Sequence, residues 1–99
     1  MIPEEKVLVL IPAFNEAERI GAVIEGTKRH FPQADILVVD DGSKDRTREI
    51  SLRAGARVVR LPFNLGVGAA LQTGYKFAVK HGYQYLIQLI LNTFRRNLF

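Results

Sequence analysis

The chain contains no cysteine and, beyond Glu49, no aspartate or glutamate. The first absence excludes disulfides, zinc–thiolate sites and thiol nucleophiles, and it suits a reducing compartment such as the cytoplasm. The second confines any chemistry that needs a carboxylate to the first half of the chain, so a metal site built from second-half carboxylates is excluded. Residues 1–50 hold seven Lys or Arg and ten Asp or Glu, whereas residues 51–99 hold seven Lys or Arg and no acid. The formal charge of +4 and the pI near 9.8 therefore conceal a net of −3 followed by +7. Long apolar runs are also lacking. Val7–Phe14 is far too short to span a bilayer, and Leu86–Leu91 is interrupted by Gln88. Glu4 and Glu5 precede the first run, where a secretory signal peptide would carry basic residues. No internal repeat, low-complexity segment or linker is present.

What remains is an ordinary globular balance. Ninety-nine residues allow one domain, or part of one. The 47% apolar and 24% charged residues argue against disorder. Val7–Ile11 is a continuous β-rich run between Lys6 and Pro12, as suits a strand buried on both faces. Asn15 is placed as an N-cap, with Glu18 completing a capping box. Ile20, Val23, Ile24, Thr27 and Phe31 then recur at helical spacing, predicting a helix over residues 16–30 that Pro32 stops. Ile36–Val39 reads as a second strand. A helix from about Asp45 to Ala54 follows, with Ser43 or Asp45 as its N-cap and Gly55 as its C-terminal cap. Arg57–Leu61 reads as a third strand, Ala69–Lys80 as a third helix ended by Gly82, and Tyr85–Leu91 as a fourth strand. The order β-α-β-α-β-α-β, with connections too long for hairpins, predicts an α/β fold with an open parallel sheet and right-handed crossovers.

Ligands bind such sheets at the carboxyl ends of the strands, so the three loops found there are the candidate site. The first is Pro12-Ala13-Phe14-Asn15-Glu16. Pro12 orients the turn, Phe14 offers a flat apolar face for a base, and Glu16 is an acceptor for ribose hydroxyls or base N–H groups. A helix-capping role for Asn15 and Glu16 is the competing reading. The second loop is Asp40-Asp41-Gly42-Ser43, where two adjacent acids end a buried strand. One suits a base N–H, and the other suits the loop backbone or a cation. The third is Asn64-Leu65-Gly66-Val67-Gly68, where Gly66 and Gly68 let a phosphate or ribose approach the backbone. It is not the dinucleotide fingerprint, which follows the first strand and needs a further glycine where this chain has Leu71. The P-loop pattern is absent as well. His30 and His81 fall at helix C-terminal ends, where an imidazole complements the dipole. Arg46, Arg48 and Arg53 read as a solvated helix face.

Taken together, Val7-Leu-Val-Leu-Ile-Pro-Ala-Phe-Asn-Glu16, Ile36-Leu-Val-Val-Asp-Asp-Gly-Ser43 with Asp45 and Thr47, and Asn64-Leu-Gly-Val-Gly-Ala-Ala-Leu71 resemble family 2 glycosyltransferases of the GT-A fold. They are most similar to the dolichyl-phosphate or polyprenyl-phosphate mannosyl- and glucosyltransferases. The resemblance covers residues 5–89 and implies the N-terminal, Rossmann-like, nucleotide-binding half of that fold. It implies that Pro12, Ala13, Phe14 and Glu16 lie against a base and ribose, with Asp41 at the base edge and Asp40 supporting the same pocket. Asn64 and Gly66 would approach the nucleotide from the third loop. The reaction implied is hexosyl transfer from a UDP- or GDP-sugar to an acceptor such as a polyprenyl phosphate, with Mg²⁺ or Mn²⁺ on the diphosphate. Full-length relatives would then act at the cytoplasmic membrane face.

The sequence departs from the family after Leu89. An Asp-x-Asp metal motif belongs there, but positions 90–92 are Ile90, Leu91 and Asn92. The expectation is therefore a nucleotide-sugar-binding segment over residues 1–89, truncated before its metal ligands, and a non-family tail over residues 90–99. Such a chain would be inactive alone, with no catalytic and no metal-ligating residue of its own. The competing class is a non-enzymatic interaction fragment that self-associates through Leu89, Ile90, Leu91, Phe94, Leu98 and Phe99. Nucleic-acid binding is disfavoured, because the second-half bases are scattered and match no recognised motif.

Overall fold

Four strands alternate with three helices in a computed structural model that describes residues 6–91. The strands are β1 (Val7–Ala13), β2 (Asp35–Asp40), β3 (Arg57–Arg60) and β4 (Tyr85–Gln88), and the helices are α1 (Ile20–His30), α2 (Thr47–Arg53) and α3 (Val67–Lys80). Every pairing is parallel, and the order across the sheet is β3-β2-β1-β4. The expected open parallel α/β sheet is the fold observed, and it has the GT-A, Rossmann-like arrangement. Part of the expected tail, from Asn92 through Phe94, Leu98 and Phe99, lies outside the described residues.

Strand alternation splits the core into two layers. Val9, Ile11, Ala13, Ile36 and Val38 face α1 and α2, where Ile20, Ile24, Ile50 and Ala54 meet them. Leu8, Leu10, Leu37 and Val39 face α3 on the other side, against Ala70 and Ala78. The second layer is tight. A Cβ built on Gly74 would lie 2.3 Å from Leu10 Cδ2, so α3 approaches β1 as closely as it does because position 74 has no side chain. Leu91 is buried in the first layer.

Pro12 does not end the first strand as expected. β1 continues through Pro12 and Ala13, which register with Val39 and Asp40 of β2. Leu10 C=O faces β4, accepting Leu89 N–H at 2.9 Å, and β4 pairs with β1 only as far as Leu10. Pro12, two residues on, faces the same side beyond the last pair, so its missing N–H interrupts no ladder. The capping-box expectation also fails. α1 begins at Ile20, Arg19 stands at its N-cap without a side-chain cap bond, and Asn15 sits at φ 52° with its side chain turned to another loop. Arg46, not Ser43 or Asp45, stands at the N-cap of α2, although Asp45 Oδ1 accepts Thr47 N–H at 3.0 Å. The regular part of β4 stops at Gln88 rather than Leu91.

The helix C-termini follow the sequence. Ala56 N–H bonds Ser51 O at 3.1 Å and Gly55 N–H bonds Leu52 O at 3.1 Å, a Schellman closure of α2 with Gly55 at φ 95°. Gly82, at φ 73°, closes α3 in the same way through Tyr83 N–H to Ala78 O at 2.9 Å. His30 Nδ1 lies 2.9 Å from Gly26 O in the last turn of α1.

Candidate functional site

The chain steps from β1 to β2 to β3 along one side of the sheet. It then crosses by α3 to the far side of β1. This reversal beside β1 is where an open parallel sheet leaves a crevice at its carboxyl end. The loops after β1, β2 and β3 all open there, and they bring the eight expected site residues to one end of the sheet. Pro12 and Ala13 are buried at the carboxyl end of β1, Ala13 within the first core layer. Phe14 is half-buried, whereas Asn64 is exposed.

The paired acids are deeply held. Asp40 is 1% exposed and Asp41 is 0% exposed. Asp40 Oδ1 accepts Ser43 N–H at 2.9 Å, and its Oδ2 lies 4.0 Å from Arg60 Nε. Arg60 comes from β3, in register with Asp40, and also donates to Ser43 O at 3.2 Å. Asp41 Oδ1 accepts Leu65 N–H at 2.8 Å and its Oδ2 accepts Gly66 N–H at 2.9 Å. One carboxylate therefore fixes the third loop where it enters α3, with negative charge at the positive end of that helix. Gly42 completes the junction. Its φ is 76°, and a Cβ there would lie 2.5 Å from Phe63 C and 2.7 Å from Asn64 N. Both the conformation and the proximity require glycine.

The first loop is tied to the second as firmly. Asn15, Glu16 and Ala17 donate their backbone N–H groups to Ser43 Oγ, Thr47 Oγ1 and Asp45 Oδ2 at 2.8, 2.8 and 3.1 Å. Lys44 N–H returns a bond to Asn15 Oδ1 at 2.8 Å. Burial works to raise the Asp45 carboxyl, but hydrogen bonds from the Thr47 hydroxyl, Thr47 N–H and Ala17 N–H outweigh it and hold the group below the usual aspartate range. Glu16, 4% exposed, is chelated by Arg19, whose Nε and terminal nitrogen each lie 2.9 Å from one carboxylate oxygen. That fork raises the Arg19 pKa further above its ordinary value, through the Glu16 hydrogen bond first and the Glu16 charge second.

The sequence reading missed Arg19 and Arg60 as partners of the site carboxylates. Both carry a signal, Arg19 by standing three residues after Glu16 and Arg60 by ending the strand beside Asp40. Ser43 and Asp45 tie the first loop to the second, and Asp45 also accepts Thr47 N–H at the start of α2.

The donor set does not fit a divalent cation. Among the described residues no three Asp, Glu, His or Cys side chains gather where they could share a metal. The loop carboxylates are committed to backbone N–H groups and arginines, and Leu89, Ile90 and Leu91 follow β4. A cavity of about 300 Å³, lined by Lys28, Asp35 and Arg57 among others, lies at the opposite end of the sheet and takes no part in this site. No helix among the described residues is long and apolar enough to cross a membrane.

The fold, with its three interlocked loops at the carboxyl end of the sheet, is that of a GT-A-type α/β protein. The sequence pattern described as Glycosyl transferase family 2 matches residues 8–87. The chain belongs to that family. It is 34% identical over 93 residues to the polyprenol monophosphomannose synthase of Mycolicibacterium smegmatis, covering 88% of this chain and 35% of that one. Among solved structures it is similar to glucosyl-3-phosphoglycerate synthase of Mycobacterium tuberculosis in complex with Mn²⁺, UDP-glucose and phosphoglyceric acid. That likeness has a TM-score of 0.62 and 32% identity, over 71% of this chain and 28% of that one. The fold is also that of the mannosyltransferase PcManGT of Pyrobaculum calidifontis, in complex with GDP-mannose and Mn²⁺. There the TM-score is 0.69 at 23% identity, over 77% and 25% of the two chains. The chain spans about a third of the length of the curated relatives it matches.

Proposed function

We propose that the loop face binds the nucleotide of a UDP- or GDP-sugar, as the nucleotide half of a hexosyltransferase whose acceptor is a polyprenyl phosphate. In this reading the base stacks on Phe14 beside Pro12 and Ala13. Glu16, held by Arg19, faces the ribose. Asp40 and Asp41 close the base pocket, and Asn64 and Gly66 meet the ligand from the third loop. The observation that carries the reading is the half-exposed Phe14 beside loops already locked by Asp41 and Asp45. The chain binds but does not transfer sugar alone, because the metal-holding carboxylates that would neutralise a leaving diphosphate have no counterpart after β4. Thermal stabilisation by UDP, GDP, CDP and dTDP, each with and without Mn²⁺, tests this. A rise in Tm with UDP or GDP, little changed by Mn²⁺, is expected. No shift with any nucleotide at millimolar concentration would sink it.

A second reading, a self-associating fragment, has one observation in its favour. Among the described residues β4 is an edge strand without a charged side chain; Tyr85 on it is 53% exposed and Leu89, just after it, 37%. A monomeric sedimentation profile at high concentration removes it.

A further inference from the structure

Three consecutive backbone N–H groups of the first loop end on three different side chains of the second. These are Asn15 on Ser43 Oγ, Glu16 on Thr47 Oγ1 and Ala17 on Asp45 Oδ2. Free N–H groups just ahead of a helix are the donors that a bound anion takes up. Here they are consumed by the protein, so this loop meets a ligand with side chains rather than amides. The acceptors are rigidly placed. Thr47 and Ser43 are buried, and the Thr47 hydroxyl itself donates to Asp45 Oδ1. Asn15 is held at φ 52°, a conformation that a non-glycine residue adopts at a cost, by the bond from Lys44 N–H to its side chain. The clasped residues stand next to Phe14 and include Glu16, the two side chains that the nucleotide-binding reading sets against the ligand.

We propose that Ser43, Asp45 and Thr47 are positioning residues for nucleotide binding: by holding the amides of residues 15–17 they fix Phe14 and Glu16 before the ligand arrives. The inference rests on the nucleotide-binding reading above. A preordered loop spares the ligand the entropy of ordering it, and misplacement of a binding group weakens affinity without any lost contact. The three side chains touch no ligand in this scheme and act through the first loop.

The test joins amide hydrogen exchange at residues 15–17, by NMR, with calorimetric UDP and GDP affinity. Thr47→Val is expected to speed exchange at Glu16 and weaken binding about tenfold. Thr47→Ser, which keeps the hydroxyl, restores both. Asp45→Ala, at an exposed side chain that leaves the fold intact, does the same at Ala17, and Asp45→Asn restores it in part. Unchanged exchange in Thr47→Val and Asp45→Ala overturns the proposal, as does faster exchange with wild-type affinity. Absence of nucleotide binding by the wild type overturns the underlying reading and the positioning role with it, while the exchange rates still report whether the clasp exists.

Discussion

The carboxylate of Asp41 and the backbone N–H of Gly66 meet at 2.9 Å, 25 residues apart in sequence, and the other oxygen of the same carboxylate takes Leu65 N–H at 2.8 Å. A single buried side chain thus sets where the third loop ends and α3 begins. Hydrogen bonds to a charged acceptor contribute about 1.5–3 kcal/mol each, and orphaned donors add a desolvation cost. Asp41→Ala is expected to lower stability by about 3 kcal/mol or more in urea unfolding. It should also abolish nucleotide-induced stabilisation. An unfolding midpoint equal to wild type would show that the tie is dispensable.

Gly74 and Leu10 give a prediction about packing. Alanine is a better helix former than glycine by about 1 kcal/mol, yet a Cβ at 74 would lie 2.3 Å from Leu10 Cδ2 and 2.4 Å from Cδ1. The overlap must push α3 off the sheet or Leu10 out of its rotamer, at about 1–3 kcal/mol. Gly74→Ala should therefore destabilise despite its propensity gain. Combined with Leu10→Val it should recover part of the loss. A double-mutant cycle reads this as a coupling of opposite sign to the single effects.

The fold was legible because its signals are local and redundant. Val7–Ile11 and Ile36–Val39 are uninterrupted apolar runs, and Gly55 and Gly82 stand where the Schellman closures need them. The start of α1 was not legible. Asn15 and Glu18 have the spacing of a capping box, but the bonds formed join Asn15 to Ser43 and Lys44, 28 and 29 residues away. A local capping pattern lost to loop–loop hydrogen bonds that no window of sequence contains. The acids of the second loop were recognised as unusual because two adjacent carboxylates end a buried strand. Their partners were not, because Arg60 reaches Asp40 only through the parallel register of β2 and β3.

Asp45 makes the inter-loop clasp dependent on pH. Its folded pKa is depressed, so the stability it contributes is fully present above the ordinary aspartate value of about 4 and is lost as pH falls through the lower folded value. Lys44 and Arg46 flank it in sequence. Asp45→Asn cannot titrate, so below about pH 4 its urea midpoint should fall less steeply with pH than that of the wild type. Parallel acid limbs for the two proteins would mean that the clasp holds without the charge. Exchange at the Ala17 amide, followed through the same pH range, locates the change at the clasp rather than elsewhere.

Tyr83 gives the complementary behaviour in alkali. Its hydroxyl donates to Asp35 Oδ2 at 2.5 Å, and its ring lies under Lys6, whose Nζ is 4.6 Å from the ring centroid. Burial, then the Asp35 hydrogen bond and the Asp35 charge, push its pKa up to about 12, with Arg57 opposing. A phenol with a raised folded pKa stabilises the fold below its ordinary value of about 10, and that contribution fades as pH climbs toward the folded value. The chain has three tyrosines. In an ultraviolet titration of phenolate absorbance, the late component should disappear in Tyr83→Phe. Asp35→Asn, which keeps an acceptor but removes the charge, should move that component earlier without abolishing it. If the late component survives in Tyr83→Phe, another tyrosine carries it and the Tyr83–Asp35 bond is not the cause.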